Sequence, residues 1–542
     1  MSECILTDYR SLLQAAVEAQ AQKAEAVEPP CPDARYVPGG VHSFYVPMDL
    51  LAAACFDGLS PRRGREELWE RLQQMVEAMK RRQHEDGLID LNTSNFHSPP
   101  DTAFMVEELA ALYEVVRSYE RSPRRDRFLE QLESVIVPAC EGIARGGVHT
   151  PNHRWKVASA LTLADRIWPH ENWRTEAQAY LDEGIDIDRD GEFTERSTGC
   201  YNCVCDRALI LLGRALGRPE YLQYADRNLE HVLYLLHADG TLVTSHSRRQ
   251  DRHTTVGVER YLLLYWYRAL MTGNGRFLSA AELGLRRIGP NSARLGGLAK
   301  WLRYFHEAAE KPPPAPQPLP EEYEVRFDEV GVLRRRLGSQ SLTLMAEADE
   351  VLAVRFGAGP DITMRIAAGL APSGQFRTEK IEGRDGRYRL RSDHACEYYG
   401  PGPDPLPATD WRSRAGFSRR VFVATELTMR LEVECLQDGL RLHLRSEGCS
   451  RVPIEVALLI RDTERTEPAG TLQYDDRSRK HFLNRGELIL QGPGHLVRIG
   501  PGADEHDLMD IPTGRPYPGQ NAYCIRLVTP VDWTARIQAQ GK

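Results

Sequence analysis

Apolar residues recur at intervals of three and four over most of the first 310 positions, the spacing of amphipathic helices. The pattern predicts helices over Leu68–Met79, Met105–Val116, Phe128–Ile143, Arg207–Leu216, Tyr221–Leu236, Val258–Leu270, Phe277–Ile288 and Leu298–Phe305, with shorter ones near 8–20, 45–56 and 173–182. A further helix starts at Thr150, a good N-cap. Pro151 fits its first helical position, and Val157, Ala158, Ala160, Leu161 and Leu163 carry its apolar face. Roughly eleven to thirteen helices are expected, punctuated by Ser122-Pro123, Trp168-Pro169, Gly217-Arg218-Pro219 and Gly289-Pro290.

Three of these helices run into a similar turn, at Asp86-Gly87, Asp190-Gly191 and Asp239-Gly240, and each turn leads through a polar loop into a new helix. The spacings are two periods and one period of about fifty residues, the length of a helical hairpin, and the missing position falls near Gly146-Gly147. Such a repeat predicts stacked helix pairs, about six of them, closing into an (α/α) toroid. Elements one period apart then lie at the same end. The shared rim would gather Asn95, His97, Asn152, His153, Arg154, Tyr201, Asn202, His246, Arg248, Arg249 and His253.

The texture changes after Lys311–Pro320, KPPPAPQPLP, a proline-rich spacer. Leu342–Phe356, Phe417–Thr425, Leu427–Leu436, Leu440–Ser446, Ile454–Ile460, Leu488–Leu490 and Ala522–Val528 show alternation or short apolar runs between turn residues. The expected architecture is α+β and multidomain: a toroid over 1–310, a linker over 311–320, and an antiparallel β-sheet sandwich over 321–542.

Composition narrows the partners. At 542 residues the chain exceeds one ordinary core, and its net charge of −8 gives no general attraction to nucleic acid or anionic membrane. Anion binding must come from a local basic site. Eight of the 69 basic residues are lysine; arginine suits bidentate grip on carboxylates and sulfates, although a biased genome explains the excess equally well. The first residues lack the basic and apolar regions of a signal peptide, so a cytoplasmic protein is expected, with export through a trimmed leader left open. Eleven scattered cysteines fit a reducing compartment, and Cys200, Cys203 and Cys205 read as helix cysteines rather than a zinc site.

Asn152, His153, Arg154 and Trp155 fall on the first turn of a helix, where free N–H groups and the dipole favour an anion. The rim's Asn, His, Arg and Tyr are the inventory for β-elimination on a uronate-containing polysaccharide. That reaction removes the C5 proton and expels the oxygen on C4. The site must neutralise the carboxylate, supply a base and protonate the leaving oxygen. A Tyr beside cationic Arg and His deprotonates more readily.

Asn152-His153 followed about fifty residues later by Tyr201, in a toroid–linker–sheet order, resembles the heparinase II/III-type polysaccharide lyases. The runs NFHSPPDTAF, HTPNHRW and STGCYN are most similar to the broad-specificity glycosaminoglycan lyases of polysaccharide lyase family 35. The resemblance implies that Asn152 neutralises the uronate carboxylate, that His153 is neutraliser or base, and that Tyr201 is the acid and, for syn elimination, also the base. It makes His97 and Arg154 candidates for carboxylate or sugar contacts, and Asn95 and Asn202 for substrate contacts. His246, Arg248 and Arg249 would bind a neighbouring acidic or sulfated sugar. No cofactor is required for the chemistry. Some relatives carry a metal in the sheet domain, for which His394, Asp410 and His443 are the candidates here, with Arg441, His443 and Arg445 on one strand face. The glycine- and histidine-rich strand of some relatives is missing; Phe356–Asp361 is the nearest run.

Three other readings compete. A glycoside hydrolase on the same toroid needs two carboxylates, for which Asp101, Glu195 and Asp206 are available. A uronate C5-epimerase would abstract the same proton and keep the leaving group. A carbohydrate-binding protein would need Arg and aromatic platforms without the acid/base set. The implied partner in every case is an acidic polysaccharide or oligosaccharide.

Overall fold

The helical periodicity is realised as twelve α-helices: α1 (Tyr9–Glu25), α2 (His42–Phe56), α3 (Glu66–Lys80), α4 (Pro99–Ser118), α5 (Pro123–Ile143), α6 (Pro151–Ile167), α7 (Glu171–Asp182), α8 (Asn202–Leu216), α9 (Pro219–Leu233), α10 (Leu262–Thr272), α11 (Gly275–Ile288) and α12 (Ala299–Tyr304). These are the α-helices among the described residues of the computed structural model, which are 8–30, 42–91, 95–289, 292–400, 420–492, 494–514 and 522–541. The chain divides into two units, Met1–Leu236 with Gly240–Pro320, and His237–Asp239 with Glu321–Lys542. Among the described residues no helix is long and apolar enough to cross a membrane.

Helix starts follow the local chemistry. Ser98 and Ser122 cap α4 and α5 by accepting from the N–H groups of Asp101 and Arg125, and Pro occupies the first turn of α4, α5, α6 and α9. Thr150 stands at the N-cap of α6 in extended conformation, but its hydroxyl makes no cap bond.

The helices pair as α2/α3, α4/α5, α6/α7, α8/α9 and α10/α11. The first helix packs against the 3-10 segment Ala293–Leu298 and α12, and α12 reaches α2 and α4, so six pairs close into an (α/α) toroid. Helices α4, α6 and α8 are buried around most of their circumference, whereas α3, α5 and α11 bury one stripe. The former line the inside of the ring and the latter its outside.

The repeated turns fall on the outer-to-inner connections, α3 to α4, α7 to α8 and α9 to α10. Their glycines have φ of 85°, 90° and 77°. The missing repeat position is filled by Gly146 and Gly147, φ 88° and 113°, between α5 and α6. A Cβ on Gly87 would lie 1.9 Å from the Pro138 carbonyl oxygen, and one on Gly191 would lie 2.7 Å from that of Arg227. Each turn therefore rests on the outer helix of the next pair, which ties neighbouring hairpins together. The rim is the end at which the inner helices begin.

Two short strands, β1 (Ile89–Leu91) and β2 (Asn95–Ser98), precede α4. The second unit is built from β3 (Glu322–Phe327), β4 (Val332–Leu337), β5 (Gln340–Met345), β6 (Glu350–Phe356), β7 (Asp361–Ala368), β8 (Ile381–Arg384), β9 (Arg387–Gly400), β10 (Arg420–Leu436), β11 (Gly439–Gly448), β12 (Pro453–Arg461), β13 (Arg465–Asp475), β14 (Lys480–Gly492), β15 (His495–Gly500), β16 (Ala522–Val528) and β17 (Asp532–Gly541). They form one hydrogen-bonded sheet in the order β3-β4-β5-β6-β7-β12-β16-β14-β15-β17-β11-β10-β9-β8, with β13 on β14, and among these strands as described only the β14–β16 pairing is parallel. Leu344, Val354 and Ile366 from one half share an apolar core with Leu431 and Leu442 from the other, so the sheet folds over as a sandwich.

Two strand expectations are corrected. Leu342–Phe356 is a hairpin, β5 and β6, turning at 346–349 without Gly or Pro. Phe417–Thr425 and Leu427–Leu436 belong to one long strand, β10, apart from 417–419, which lie outside the described residues.

Candidate active site

Asn152 and His153 open α6, and Tyr201 is the N-cap residue of α8, the next inner helix. Asn152 is fully buried. Its amide nitrogen donates to both carboxylate oxygens of Glu195, at 3.0 and 2.9 Å, while its own oxygen is buried without a partner. Burial raises the Glu195 carboxyl, opposed by the Asn152 hydrogen bond and the Arg249 charge.

His153 is nearly buried against Phe104 and His149, whose rings stand edge-on at 6.3 and 4.8 Å, and its Nδ1 has no partner. Burial is the main reason its pKa falls to about 4. His149 and Arg249 act in the same direction, and Asp101 opposes them. His153 is thus a neutral imidazole at physiological pH, able to accept a proton.

Tyr201 is partly exposed. The Gln250 amide donates to its hydroxyl at 2.5 Å, and the Arg249 guanidinium lies over its ring at 5.2 Å. Arg249 therefore links the three groups: it stacks on Tyr201 and its charge reaches both His153 and Glu195.

A buried polar layer holds the loop that delivers Glu195 and Tyr201. Glu192 accepts from Asn202 at 2.6 Å and pairs with His231 and His246, each at 3.2 Å. Burial would raise its carboxyl, but these partners outweigh that and hold it below the usual carboxylate range. Asp251 accepts from the Ser197 and Ser247 hydroxyls, at 2.7 and 2.6 Å, and from the Gly199 N–H at 2.9 Å. The loops before α8 and before α10 are stitched together by these bonds, and neither can shift alone.

Most of the other expected site residues already have polar partners. Asn202 and His246 are buried in the Glu192 layer. Arg154 is paired with Glu183 at 3.0 Å and Asp186 at 3.4 Å, and it stacks on Trp155, which is itself fully buried. His97 is exposed, stacks on His84 at 3.7 Å and bonds Asp86 at 2.6 Å. Asn95 donates to Asp101 at 3.2 Å, and Arg248 is exposed next to Arg249.

His394 and His443, expected to share a metal in the sheet domain, do not share a face of the sheet. His394 pairs in register with Leu427 and His443 with Glu432, five positions apart along β10 and so on opposite faces. His394 bonds Ser392 and the Ser373 carbonyl, and His443 bonds Asp532 at 2.5 Å. Asp410 lies outside the described residues. Among the described residues no group of three or more His, Cys, Asp or Glu is placed to hold a metal ion.

The three carboxylates considered for a hydrolase differ in their surroundings. Asp206 is fully buried in α8, where burial first and the Glu192 and Asp226 charges next raise its pKa well above the ordinary value. Asp101 accepts from Ser98 at 2.5 Å, and Glu195 is occupied by Asn152. Two neighbours in the site are not evident from the sequence pattern: Glu195 as the partner of Asn152, and His149 beside His153. A carboxylate and a histidine inside the repeated rim loops are the only signals of them.

No protein-family model matches the sequence, and no curated protein matches it. Solved structures do. A chondroitin AC lyase of Streptomyces coelicolor A3, solved with chondroitin sulphate, matches with a TM-score of 0.53 and 12% identity over 98% of this chain and 79% of the other. Heparinase III matches with 0.52 and 11% over 96% and 84%, and a chondroitinase AC lyase with 0.50 and 8% over 98% and 82%. The chain has the toroid-plus-sheet fold of these polysaccharide lyases.

Proposed function

We propose that the protein is a polysaccharide lyase that cleaves uronate-containing glycosaminoglycans by β-elimination. The observation that carries the reading is the convergence of Asn152, neutral His153 and the Arg249-stacked Tyr201 at the starts of two consecutive inner helices. The fold shared with known lyases supports it.

In this mechanism Arg249 binds the uronate carboxylate and stabilises the charge that develops on it when C5 loses its proton, and Asn152, its nitrogen held by Glu195, accepts from a sugar hydroxyl through its free oxygen. His153 or Tyr201 takes that proton, according to the configuration at C5. The C5–H electron pair forms the C4=C5 double bond as the C4–O bond breaks, and the Tyr201 phenol protonates the departing oxygen. These residues complete the reaction without a cofactor. One product carries a 4,5-unsaturated uronate and the other a new hydroxyl end.

The test is digestion of heparan sulfate, chondroitin sulfates, hyaluronan and alginate, followed by ultraviolet absorbance of the conjugated double bond and by product masses. Unsaturated oligosaccharides that disappear in Tyr201→Phe and Asn152→Ala are expected. Silence across the panel removes the reading.

A further inference from the structure

Inside the first unit, the opening turns of α2, α8 and α10 and the second turn of α4 border a cavity of about 370 Å³ whose lining includes Gln20, Asp49, Phe104, Arg260, Gly297 and Trp301. It shares walls with the candidate active site. Phe104 lines it and meets the His153 ring edge-on, and Cys203 and Val204 line it directly after Tyr201-Asn202.

The cavity has a buried floor and an open side. Lys300, Glu108 and Trp301 line it and are buried, whereas Val46, Arg260 and Gly297 line it and are exposed. The floor charges are committed to one another. Lys300 pairs with Asp49 and, at 2.5 Å, with Glu108; Arg207 pairs with Glu108 at 2.6 Å and Glu107 at 3.1 Å. Glu107 is also paired with buried Lys156. Arg260, at the open side, rests against the sulfur of Cys200 at 3.7 Å. Burial pushes Asp49 up to about 7. With Lys300, Arg207 and Arg260 against Asp49 and Glu108, the lining is positive on balance.

One acceptor is left over. Gln20 is 1% exposed and donates to the Asp49 carbonyl at 2.8 Å, yet its side-chain oxygen has no donor. Buried oxygens are seldom left in this condition, and this one belongs to a residue that lines a cavity. A ligand that satisfies it brings a hydroxyl or amide donor, and one that answers Arg260 brings a negative group. The volume lies at the small end of ligand pockets, room for a sugar unit rather than a threaded chain.

We propose that this cavity is a dead-end subsite for the terminal acidic sugar of the substrate, with Gln20 accepting from one of its hydroxyls and Arg260 holding its carboxylate or sulfate. The choice of an acidic sugar rests on the lyase reading; the cavity and its unpaired oxygen do not. A chain end seated there places cleavage near that end, at the rim wall shared with Phe104.

The experiment is calorimetric or ligand-observed NMR titration of the full chain with glucuronate and N-acetylglucosamine 6-sulfate, with glucose as the neutral control. At least one acidic probe is expected to bind more tightly than glucose. Gly297 has ordinary φ and nothing within 4 Å of the place a Cβ would take, so Gly297→Ala should bind as wild type and Gly297→Trp should lose binding. Arg260→Gln should weaken the acidic probe about tenfold. No binding of either acidic probe overturns the proposal, as does equal affinity for glucose or indifference to Arg260→Gln. Should Gly297→Trp fail to fold, the Arg260→Gln titration alone decides. Binding of the expected pattern with no unsaturated product from any polymer keeps the subsite and removes the lyase reading. Unsaturated products with binding unaffected by Gly297→Trp do the reverse.

Discussion

The rim before α6 and α8 and the outer face of β11 both display His, Arg and acidic residues, and they differ in how those residues are satisfied. On the strand, Arg441 pairs with Glu434, and His443 sits between Arg445 at 3.1 Å and Asp532 at 2.5 Å, in contacts largely open to water. At the rim the corresponding groups are buried and incompletely paired: the Asn152 oxygen and the His153 Nδ1 have no partner, and Glu195 is held by an amide rather than a cation. Charges that neutralise one another across a solvated face contribute little to either stability or chemistry. Buried polar groups with spare bonding capacity are what a site that holds a substrate and moves a proton requires.

That contrast is breakable by experiment. The largest expected effect is on turnover: Tyr201→Phe or Asn152→Ala lowers unsaturated-product formation by about a thousandfold, while His443→Ala leaves the rate within about twofold. A sheet-face variant as damaging as the rim variants would erase the distinction.

Next comes stability. Lys156 is fully buried against Glu107, and Lys156→Met takes away one of the two cations on that carboxylate, leaving Arg207, at a cost of about 3 kcal/mol, read from denaturant midpoints. Arg441→Met on the strand, with its partly exposed partner, is expected to cost about 1 kcal/mol or less. Comparable losses would show that burial is not the deciding difference.

A smaller effect tests orientation. Glu195→Gln keeps the shape around Asn152 but removes the charge that selects its amide nitrogen, so kcat should fall about tenfold with KM little changed. A change confined to KM would mean that Glu195 serves binding alone.

The smallest effect is on pH dependence. With His153 near pKa 4, the base form persists as pH falls through the ordinary histidine range, so kcat/KM holds at pH 6 and declines only toward pH 4 to 5. The sign for stability is opposite in sense to a salt-bridged histidine. The unfolded chain takes up the proton first, so this residue's contribution weakens as pH drops from about 6.5 toward 4. NMR titration of the His153 ring, assigned with His153→Gln, measures the value directly.

The sequence makes the ring and its rim legible because the Asp-Gly turns recur with the hairpin period and each positive-φ glycine packs on the next pair. Asn152, His153 and Tyr201 stand out because they follow those turns directly. What stays hidden depends on side-chain direction. Nothing in the period says that Asn202 and His246 point inward to Glu192, that Arg154 turns to Glu183, or that His97 stacks on His84. The split of His394 and His443 follows from strand register, which no alternation pattern in a single strand specifies. The floor of the cavity is illegible because Glu107, Glu108, Lys156 and Lys300 sit among apolar residues, where periodicity counts them as breaks rather than as partners.

The central claim, elimination rather than hydrolysis at the Asn152–Tyr201 rim, is tested most directly by digesting the acidic polysaccharide in heavy-oxygen water and weighing the products. The account predicts fragments that carry no heavy oxygen at the new ends, one of each pair lighter by a water than its hydrolytic counterpart. Incorporation of one heavy oxygen per cleavage would contradict it.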